Sequence, residues 1–366
     1  MKRKSPEVFP PGDRLKEELD ARGWSQMDLA EILGRPARLV SEIITAKRAI
    51  TPETAKDLGL ALGTGPELWI NLESQFQLSR ARGSSDAIAN RAKIFGRFPV
   101  REMQKRGWLK RLPSLSAIEA ELKRYFEISD LDSEIGVAHA AKKTSYDKVS
   151  MLQMAWLFRA RQLAASVAVQ RYDPAALPQL CAALRDRVER PSDAAQVPDL
   201  LASAGIRLLL VQPLPGSKID GACMWYEEQP LIVLTLRYDR HDIFWHALFH
   251  ELDHIEHGEG KQIPIVDSNM MKECSGGPEI ERRANRAAAA RLIPEDAMQG
   301  FIERAGPYFP VRSILSFSAA NRVHSGIVVG QLQHRELVAW SSLNALKAKI
   351  RDVVVPTAVS DGFAVE

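Results

Sequence analysis

Two histidines and a glutamate lie in one short segment, where the sequence reads His250-Glu251-x-x-His254. On a helix, residues four positions apart share a face, so the two imidazoles can bind one metal ion. Glu251 lies on the same turn and can take a proton from a water molecule beside that metal. The spacing is typical of zinc hydrolases, which use glutamate as general base and Zn²⁺ as cofactor. The alternative is a helix that carries this pattern by chance.

A catalytic zinc ion usually has three protein ligands and one open position, so a third ligand is required. Gly260 stands six residues after His254, where the metzincin pattern requires another histidine. The other arrangement is a carboxylate on a second helix. The alanine-rich segment Glu279–Leu292, which is followed by Pro294, is predicted to be such a helix.

Within that helix, Glu281 and Asn285 lie four residues apart and therefore share a face. We predict Glu281 as the third metal ligand and Asn285 as the partner that orients a ligating histidine. Glu279 is the competing ligand. The alternative role of Glu281 is a surface ion pair with Arg282 or Arg286.

Three of the further histidines in the same half of the chain are candidates for a role: His246, His257 and His324. His324 precedes an apolar helix, and we place it beside Glu251 as a catalytic candidate that donates a hydrogen bond in the transition state. A buried or helix-capping role is the simpler expectation for His246 and His257.

Apolar patterning predicts the elements that must position these residues. Residues 206–212 contain the apolar run Leu208-Leu209-Leu210-Val211 and are therefore predicted to form a buried strand. Two more strands are predicted at 221–226 and 231–236. A small sheet beside a helix of this type is the scaffold of zincin-type proteases, in which an edge strand can hold an extended substrate. The metal-site helix itself carries an apolar stripe that ends before Gly258: Phe244, Ala247, Leu248, Leu252 and Ile255.

The segment before this sheet is predicted to be mainly helical, with one long helix over 151–172 and a hinge at 190–193. Its stretch 91–111 is strongly basic, which indicates either phosphate contacts or a solvated helix face. Residues after His334 are predicted to form an amphipathic helix and a frayed tail.

The sequence pattern of the first eighty residues predicts a run of short helices that includes a helix-turn-helix. If Gln26 is position one, a small residue stands at position five, glycine at nine, and apolar residues at fifteen and eighteen: Ala30, Gly34, Val40 and Ile43. The small residue allows a close helix crossing, the glycine allows the turn, and the apolar pair holds the second helix. A helical bundle used only for dimerisation or partner binding is the alternative.

The outward positions of the second helix and its ends are the predicted DNA contacts. Serine and arginine there can meet base edges, and the terminal cations can meet phosphates. The predicted contact residues are Arg35, Ala37, Arg38, Ser41, Glu42, Lys47 and Arg48.

Nearly all of residues 10–78 resembles the HigA-type antitoxins and repressors of the Cro/C1 class. The motifs that carry the resemblance are Pro11-Gly12-x-x-Leu15-Lys16-Glu17-Glu18-Leu19, Ser25-Gln26-x-x-Leu29-Ala30, Ser41-Glu42-Ile43-Ile44, Ile50-Thr51-Pro52-Glu53-Thr54-Ala55 and Leu68-Trp69-x-Asn71-Leu72. The resemblance implies binding to operator DNA.

Most of residues 205–334 resembles the ImmA/IrrE metallopeptidases, in the branch fused to HigA-like domains. The motifs are His250-Glu251-Leu252-x-His254 with His257-Gly258, the run from Glu281 and Asn285 to Pro294, the stretch 237–245, and the stretch 323–333. The resemblance implies cleavage of transcriptional repressors in stress or mobile-element responses. Two departures are Asp253, which replaces a small residue close to the metal, and Ala287, which replaces a phenylalanine.

Whole-chain properties limit the remaining classes of function. The chain has 366 residues, a net charge of +3 and three widely spaced cysteines, Cys181, Cys223 and Cys274. This fits two or three domains in a reducing cytoplasm, with neither a disulfide framework nor a cysteine zinc site. No apolar run is long enough to span a membrane.

We therefore predict a mostly helical α+β fold. Its parts are an all-α helix-turn-helix domain (1–80), a helical linker segment (81–196), a zincin-like domain with a small β-sheet and the metal-site helix (197–334), and a C-terminal helix and tail (335–366).

The predicted function is a cytoplasmic DNA-binding transcriptional regulator with zinc-dependent endopeptidase activity. We expect it to cleave a repressor or antitoxin-type protein in a stress, toxin-antitoxin or mobile-element response. Expected partners are operator DNA, that protein substrate and a second copy in a homodimer, with a toxin as a further candidate. The alternative is a non-enzymatic antitoxin or repressor whose zincin domain is a sensor or partner-binding module.

Overall fold

The computed structural model describes residues 8–81, 85–136, 149–268 and 278–363. Cys274 lies outside these ranges. The chain divides into two compact units, Met1–Asn90 and Arg91–Glu366. The fold is mostly helical, with a small mixed sheet of five strands.

The first unit contains a run of short helices. They are α1 (Pro11–Arg22), α2 (Gln26–Leu33), α3 (Ala37–Ile44), α4 (Pro52–Leu62) and α5 (Pro66–Arg80). Local signals explain their boundaries. Ser25 caps α2 in a capping box with Asp28, and Gly34 ends it in the left-handed conformation (φ 61°).

The small and apolar residues that predicted the helix-turn-helix occupy the expected positions in this unit. Ala30, Val40 and Ile43 are buried together in the core of the unit. A Cβ on Gly12 would lie 2.5 Å from the carbonyl oxygen of Ile43, so glycine allows α1 to approach α3 closely. The predicted helix-turn-helix is confirmed.

Helices α6 to α11 precede the sheet. They are α6 (Ser85–Arg97), α7 (Val100–Lys105), α8 (Leu115–Tyr125), α9 (Met151–Ala164), α10 (Leu177–Arg185) and α11 (Val197–Ser203), with two 3₁₀ turns at Pro174–Ala176 and Pro191–Gln196.

The remaining elements include the metal-site helix, α12. They are β1 (Arg207–Leu210), β2 (Ile219–Tyr226), β3 (Gln229–Leu234), α12 (His241–Glu256), β4 (Ile265–Ser268), α13 (Glu279–Leu292), α14 (Glu295–Ala305), α15 (Val311–Ala320), α16 (Ser325–His334), a 3₁₀ turn at Asn344–Leu346, α17 (Arg351–Val354) and β5 (Val359–Ser360).

The strands lie in the order β4-β2-β3-β1-β5. β1 pairs in parallel with β3 and β5, whereas β2 pairs antiparallel with β3 and β4. β4 and β5 are therefore the edge strands of the described sheet. Asp267 of β4 lies opposite Gly221 of β2, next to a register irregularity between Ile219 and Gly221.

Side chains of the sheet alternate between two cores. Leu208 and Leu210 of β1 face the core that contains α12, whereas Leu209 and Val211 face the core that contains α9. Both faces of the sheet are therefore covered by helices. This explains why the strand reads as a continuous apolar run in the sequence.

The middle segment differs from the expected linker, because its helices belong to the core of the second unit. Trp156 of α9 is fully buried and donates a hydrogen bond to the Val211 carbonyl (3.0 Å). The predicted long helix ends at Ala164 rather than at 172. The predicted hinge is instead part of a 3₁₀ turn, with Ala194 fully buried.

Two cations of the basic stretch 91–111 form hydrogen bonds to backbone carbonyls within the protein. Arg106 is almost fully buried and donates hydrogen bonds to the carbonyls of Gln212 (2.6 Å) and Pro213 (2.8 Å). Arg97 donates to the carbonyls of Leu131 and Ser133. These two cations are occupied inside the protein, so they are not free for phosphate.

The predicted amphipathic helix after His334 is wrong. Glu336 and Leu343 adopt left-handed backbone conformations (φ 59° and 60°), which interrupt a helix. Three backbone carbonyls of residues 339–342 instead accept hydrogen bonds from the Gln333 amide.

Residues 348–360 pack against the start of α12 and the sheet. The His241 amide donates to the Ala348 carbonyl, and Asp239 accepts from the amides of Ile350 and Arg351. β5 then adds to β1, so the predicted frayed tail includes a strand of the sheet.

Within the described residues, every helix is too short or too polar to cross a membrane.

Candidate metal centre and DNA-binding helix

Four side chains converge where α12 faces β4 and α13. They are His250, His254, Asp267 and Glu281, and their nearest nitrogen and oxygen atoms all lie within 4.8 Å of one another. The helical spacing brings the two histidines together, and Ala284 and Ala288 of α13 are fully buried, small residues that allow helices to approach closely.

The distances match those around a single metal ion. The Nε2 atoms of His250 and His254 lie 3.0 Å apart, and Glu281 Oε2 lies 3.2 Å and 3.8 Å from them. Asp267 Oδ2 lies 3.4 Å from His250 Nε2. Ligand atoms on a tetrahedral zinc ion with bonds of about 2.0 Å are separated by roughly 3.3 Å.

The outer hydrogen bonds turn both imidazole lone pairs toward this centre. His254 Nδ1 lies 2.7 Å from Glu259 Oε2 and must donate, because a carboxylate only accepts. His250 Nδ1 lies 3.0 Å from the Asn285 oxygen and donates to it. In the neutral imidazoles each Nε2 therefore carries a lone pair, and two lone pairs that face each other are stabilised by a proton or a metal ion between them.

The carboxylates around the two histidines favour such a cation. Burial lowers the pKa of His250, but the nearby carboxylates of Asp267 and Glu281 outweigh burial and raise it to about 10. The same carboxylates, which favour a proton on the imidazole, favour a divalent metal ion in the same position. The residues present therefore fit a zinc ion.

Glu251 lies beside the cluster, in a fully buried position. Neither carboxylate oxygen has a hydrogen-bond partner within the described residues. A Cβ on Gly221 would lie 2.3 Å from Glu251 Oε1, so glycine in β2 provides the space for this carboxylate. Burial, together with the charge of Asp267, raises the pKa of Glu251 well above its usual value. A raised pKa makes a carboxylate a stronger base.

Glu259, which orients His254, belongs to an ionic network. Arg283 donates two hydrogen bonds to Glu259, at 3.0 Å and 2.7 Å, and one to Asp253 at 2.8 Å. Glu259 lies in the loop after α12, and its backbone carbonyl accepts from Trp225 of β2 (3.1 Å). Arg283 and Trp225 therefore fix Glu259 against His254.

The helix-turn-helix in the first unit presents a polar face. Arg38 is 86 % exposed and donates to Glu42 (2.7 Å), which also accepts from Arg48 (3.3 Å). Ser41 and Lys47 are exposed, and Ala37 is half-buried. Arg35 is paired with Asp57 of α4 (3.1 Å). The predicted contact residues thus lie on α3 and at its ends.

Comparison with known proteins identifies this unit. The helix-turn-helix family matches residues 15–69. An uncharacterized HTH-type transcriptional regulator, YddM of Escherichia coli (strain K12), is 33% identical over 76 residues, which are 21% of this chain and 81% of that protein. The chain belongs to the helix-turn-helix transcriptional regulators. Its helix-turn-helix is a DNA-binding domain.

Three solved structures are similar to the N-terminal part of the regulator. A putative antidote protein of a plasmid maintenance system from Nostoc punctiforme is 37% identical and covers 20% of this chain and 82% of its own (TM-score 0.20). PA4674 from Pseudomonas aeruginosa, in complex with its operator DNA, is 29% identical and covers 22% and 88% (TM-score 0.21). A HigA-family addiction module antidote protein from Coxiella burnetii is 28% identical and covers 30% and 99% (TM-score 0.20).

In the second unit of the regulator, the competing ligand Glu279 lies outside the cluster. Its side chain is 65% exposed and pairs with Arg282 and Arg286. These are the two arginines that were the alternative partners of Glu281, which lies in the cluster instead. The structure therefore places Glu281, and not Glu279, beside the two histidines.

Asp253 does not face the metal cluster, in contrast to the expectation. Its carboxylate accepts from Arg283 and lies 3.8 Å from Arg291. It is one residue before His254 on a helix and therefore points to a different side, toward α13. Its role is an ion pair between α12 and α13.

The structure does not bring His324 to the cluster. Its Nδ1 accepts from the Gly326 amide (3.0 Å), and its ring lies 4.9 Å from the ring of His241 at the start of α12. His241 is nine residues before His250, which is roughly 13 Å along a helix. The predicted catalytic role of His324 is therefore not supported, and the residue is the N-cap of α16.

The other two histidines have structural contacts. His246 lies 3.2 Å from the Asn285 oxygen, and burial together with the charge of His250 lowers its pKa to about 4. His257 lies 2.8 Å from the Asp253 carbonyl at the end of α12, which is a capping contact.

Sequence reasoning missed Asp267, Glu259 and Gly221. Asp267 lies on a four-residue strand that follows no clear alternating pattern. Glu259 follows His254 by five residues and could have been found as a carboxylate partner for a ligating histidine. No sequence signal marked Gly221 as the neighbour of Glu251, because that contact depends on the register of β2.

A cavity of about 660 Å³ lies beside the cluster, between α12, α13 and α16. Its wall includes His246 and Asn285, which also contact the metal site, and apolar side chains such as Ile243, Ala289 and Ile327. The size falls within the range of small-ligand pockets.

Proposed function

We propose that this helix-turn-helix regulator is also a zinc-dependent endopeptidase. The observation that carries the proposal is the pairing of two features. Four side chains that can bind a metal converge, and the carboxylate of Glu251 lies buried beside them with no hydrogen-bond partner in the part of the chain that the structure describes. A structural metal site has no use for that additional carboxylate, whereas hydrolysis requires a general base.

In this proposal His250, His254 and Glu281 hold the metal. A bound Zn²⁺ supplies a positive charge that acidifies water and polarises the scissile carbonyl. Asn285 and Glu259 keep the two imidazole rings in the tautomer and orientation that ligation requires.

Glu251 moves the proton. One of its carboxylate oxygens takes a proton from the attacking water, and the same group then delivers that proton to the leaving amine. Its burial excludes bulk water, which would otherwise solvate the carboxylate and weaken it as a base.

The surroundings offer two substrate contacts. β4 is an edge strand that carries Asp267 next to the metal ligands, so an extended peptide can add to its free side. The cavity next to His246 and Asn285 is large enough to receive a substrate side chain on one side of the scissile bond.

The resemblance to ImmA/IrrE metallopeptidases supports a protein substrate of the repressor or antitoxin type. With the helix-turn-helix on the same chain, proteolysis and promoter control belong to one regulator, for a stress, toxin-antitoxin or mobile-element response. We further propose that it binds its operator as a homodimer, because dimeric helix-turn-helix proteins match the two-fold symmetry of operators.

A second candidate function is a zinc-dependent sensor without hydrolysis. Asp267 favours it, because a fourth protein ligand gives the closed coordination typical of structural zinc. Under this alternative the second unit binds metal or a partner and cleaves nothing.

Metal removal tests the peptidase against the sensor. We expect about one zinc ion per chain by elemental analysis, and cleavage of repressors encoded near its gene that stops with 1,10-phenanthroline and returns with Zn²⁺. Cleavage that is unaffected by complete metal removal would exclude the proposed mechanism, and stoichiometric zinc without any cleavage would favour the sensor.

A second experiment concerns the operator. We expect Arg38→Ala and Ser41→Ala each to weaken specific binding by about 1–3 kcal/mol, which is the usual value of a base contact. Arg80→Ala, at the far end of α5, is the matched control and should have little effect. Binding is measured by titration of the operator and of unrelated DNA. An equal loss on both DNAs would contradict base recognition by Arg38 and Ser41.

A further inference from the structure

Asp267 adds a second carboxylate to the cluster of His250, His254 and Glu281. Its Oδ2 lies 3.4 Å from His250 Nε2, about the distance that separates His250 from Glu281 (3.2 Å). With the two histidines and Glu281, it gives four protein donors, which is the full number for tetrahedral zinc.

The fold gives this carboxylate few other contacts. Asp267 is 5% exposed, and beyond its ion-pair contact with His250 its Oδ2 has no hydrogen-bond partner among the described residues. A buried carboxylate oxygen without a donor is costly, so a cation at the cluster is its natural partner. The opposite residue on β2 is Gly221, whose missing side chain leaves room for Glu251.

Asp267 also lies on an element that can move with little disruption. β4 has four residues, is an edge strand, and pairs with β2 next to a register irregularity. Edge strands are held on one side only, so a small shift of β4 costs fewer backbone hydrogen bonds than a shift of an inner strand.

We propose that Asp267 is a fourth, removable metal ligand that keeps the zinc site closed. The inference rests on the proposed function for the metal and for the reaction that closure prevents. In the closed state the carboxylate of Asp267 fills the position that the attacking water requires. Withdrawal of β4 exchanges this carboxylate for water and opens the site beside Glu251.

The first test measures zinc affinity and not catalytic activity. We expect Asp267→Ala to weaken zinc binding at least about tenfold, measured by competition with a chromophoric chelator, because even the loss of an indirect partner costs about 10–100-fold. Glu279→Gln is the matched control, since Glu279 is an exposed carboxylate of the neighbouring helix outside the cluster. Unchanged zinc affinity in Asp267→Ala would overturn the proposal.

Azide binding to the Co²⁺-substituted protein reports an open coordination position. We expect azide to change the visible spectrum of Asp267→Ala. The spectral change in the wild type and in Glu279→Gln should be at least about tenfold weaker, because their open state is a minor state, and minor states are usually populated at about 0.1–10%. A full azide response in the wild type, or none in Asp267→Ala, would contradict closure by Asp267. Near-ultraviolet circular dichroism checks the fold, and Asp267→Asn replaces the alanine variant if that variant does not fold.

Measurements of hydrolysis distinguish a failure of this inference from a failure of the proposed function. Asp267→Ala should cleave substrate about 10-fold or more faster than the wild type, and Asp267→Ala combined with Glu251→Gln should not cleave it. If the affinity and azide results are as expected but no variant cleaves any substrate, Asp267 is a ligand of a sensor and the peptidase proposal fails. If cleavage depends on Glu251 while the affinity and azide responses of Asp267→Ala equal those of the wild type, the peptidase stands and closure by Asp267 fails.

Discussion

Glu251→Gln should abolish peptide hydrolysis while zinc remains bound and the fold remains intact. Glutamine has nearly the same size but cannot take a proton from water, and general-base catalysis contributes about 10²–10⁴-fold. Glu251 is fully buried next to Gly221, so the isosteric change also avoids a cavity or a steric clash. The rate is measured in the wild type and in Asp267→Ala, in which the effect should be larger if Asp267 closes the site.

The matched control for this experiment is Glu256→Gln. Glu256 is on the same helix, but its side chain is 44% exposed and pairs with Arg291. The control should keep zinc, fold and hydrolysis. If Glu251→Gln cleaves substrate as fast as Glu256→Gln, Glu251 is not the base and the sensor function takes precedence.

His254→Ala should remove zinc from the purified protein. The change deletes one of two imidazoles whose Nε2 atoms lie 3.0 Å apart, and it leaves a buried cavity among carboxylates. Elemental analysis should fall from about one zinc ion per chain to near zero. In the wild type, zinc at 1,000 times its dissociation constant should stabilise folding by about 4 kcal/mol, and this gain should be absent in the variant.

Glu259→Gln gives a graded comparison for the same site. Its side chain does not belong to the ligand cluster but accepts from His254 Nδ1, and loss of such a partner typically weakens metal binding by about 10–100-fold. Zinc affinity should therefore follow the order wild type, Glu259→Gln, His254→Ala. A variant His254→Ala with full zinc content would mean that the metal site lies elsewhere.

Local patterns were sufficient to predict the parts of the site that lie on helices. Four-residue spacing placed His250 with His254 and Glu281 with Asn285, because a helix has a fixed periodicity whatever surrounds it. Capping signals also worked: Ser25 and Gly34 gave the boundaries of α2, and Gly258 follows the end of α12.

The contacts that depend on tertiary structure could not be predicted. Asp267 reaches the cluster only because β4 pairs with β2 in one particular register, and strand pairing is not encoded in local spacing. The expected position of Asp253 was wrong for a related reason. Sequence proximity to His254 suggested the metal, but one residue on a helix turns the side chain by about 100° toward Arg283.

The segment after His334 shows the limit of apolar periodicity. Its spacing of leucine and tryptophan fits a helix, but the segment forms turns with left-handed residues. Leu343 and Leu346 pack against the core of the second unit, whereas Leu337 and Trp340 are exposed. The apolar residues Leu208–Val211 within 206–212 were more informative, because a strand with both faces buried is apolar on both of its faces.

Residues 348–360 contact α12 and β1, and these contacts affect the order in which the two units fold during synthesis. The metal ligands leave the ribosome before the residues that fix the start of their helix through Asp239 and His241 and that add β5 to β1. The helix-turn-helix unit can fold early, because domains fold as units from the N-terminus. Under the proposed function, the nascent regulator therefore acquires its DNA-binding surface well before its second unit is complete and competent for hydrolysis.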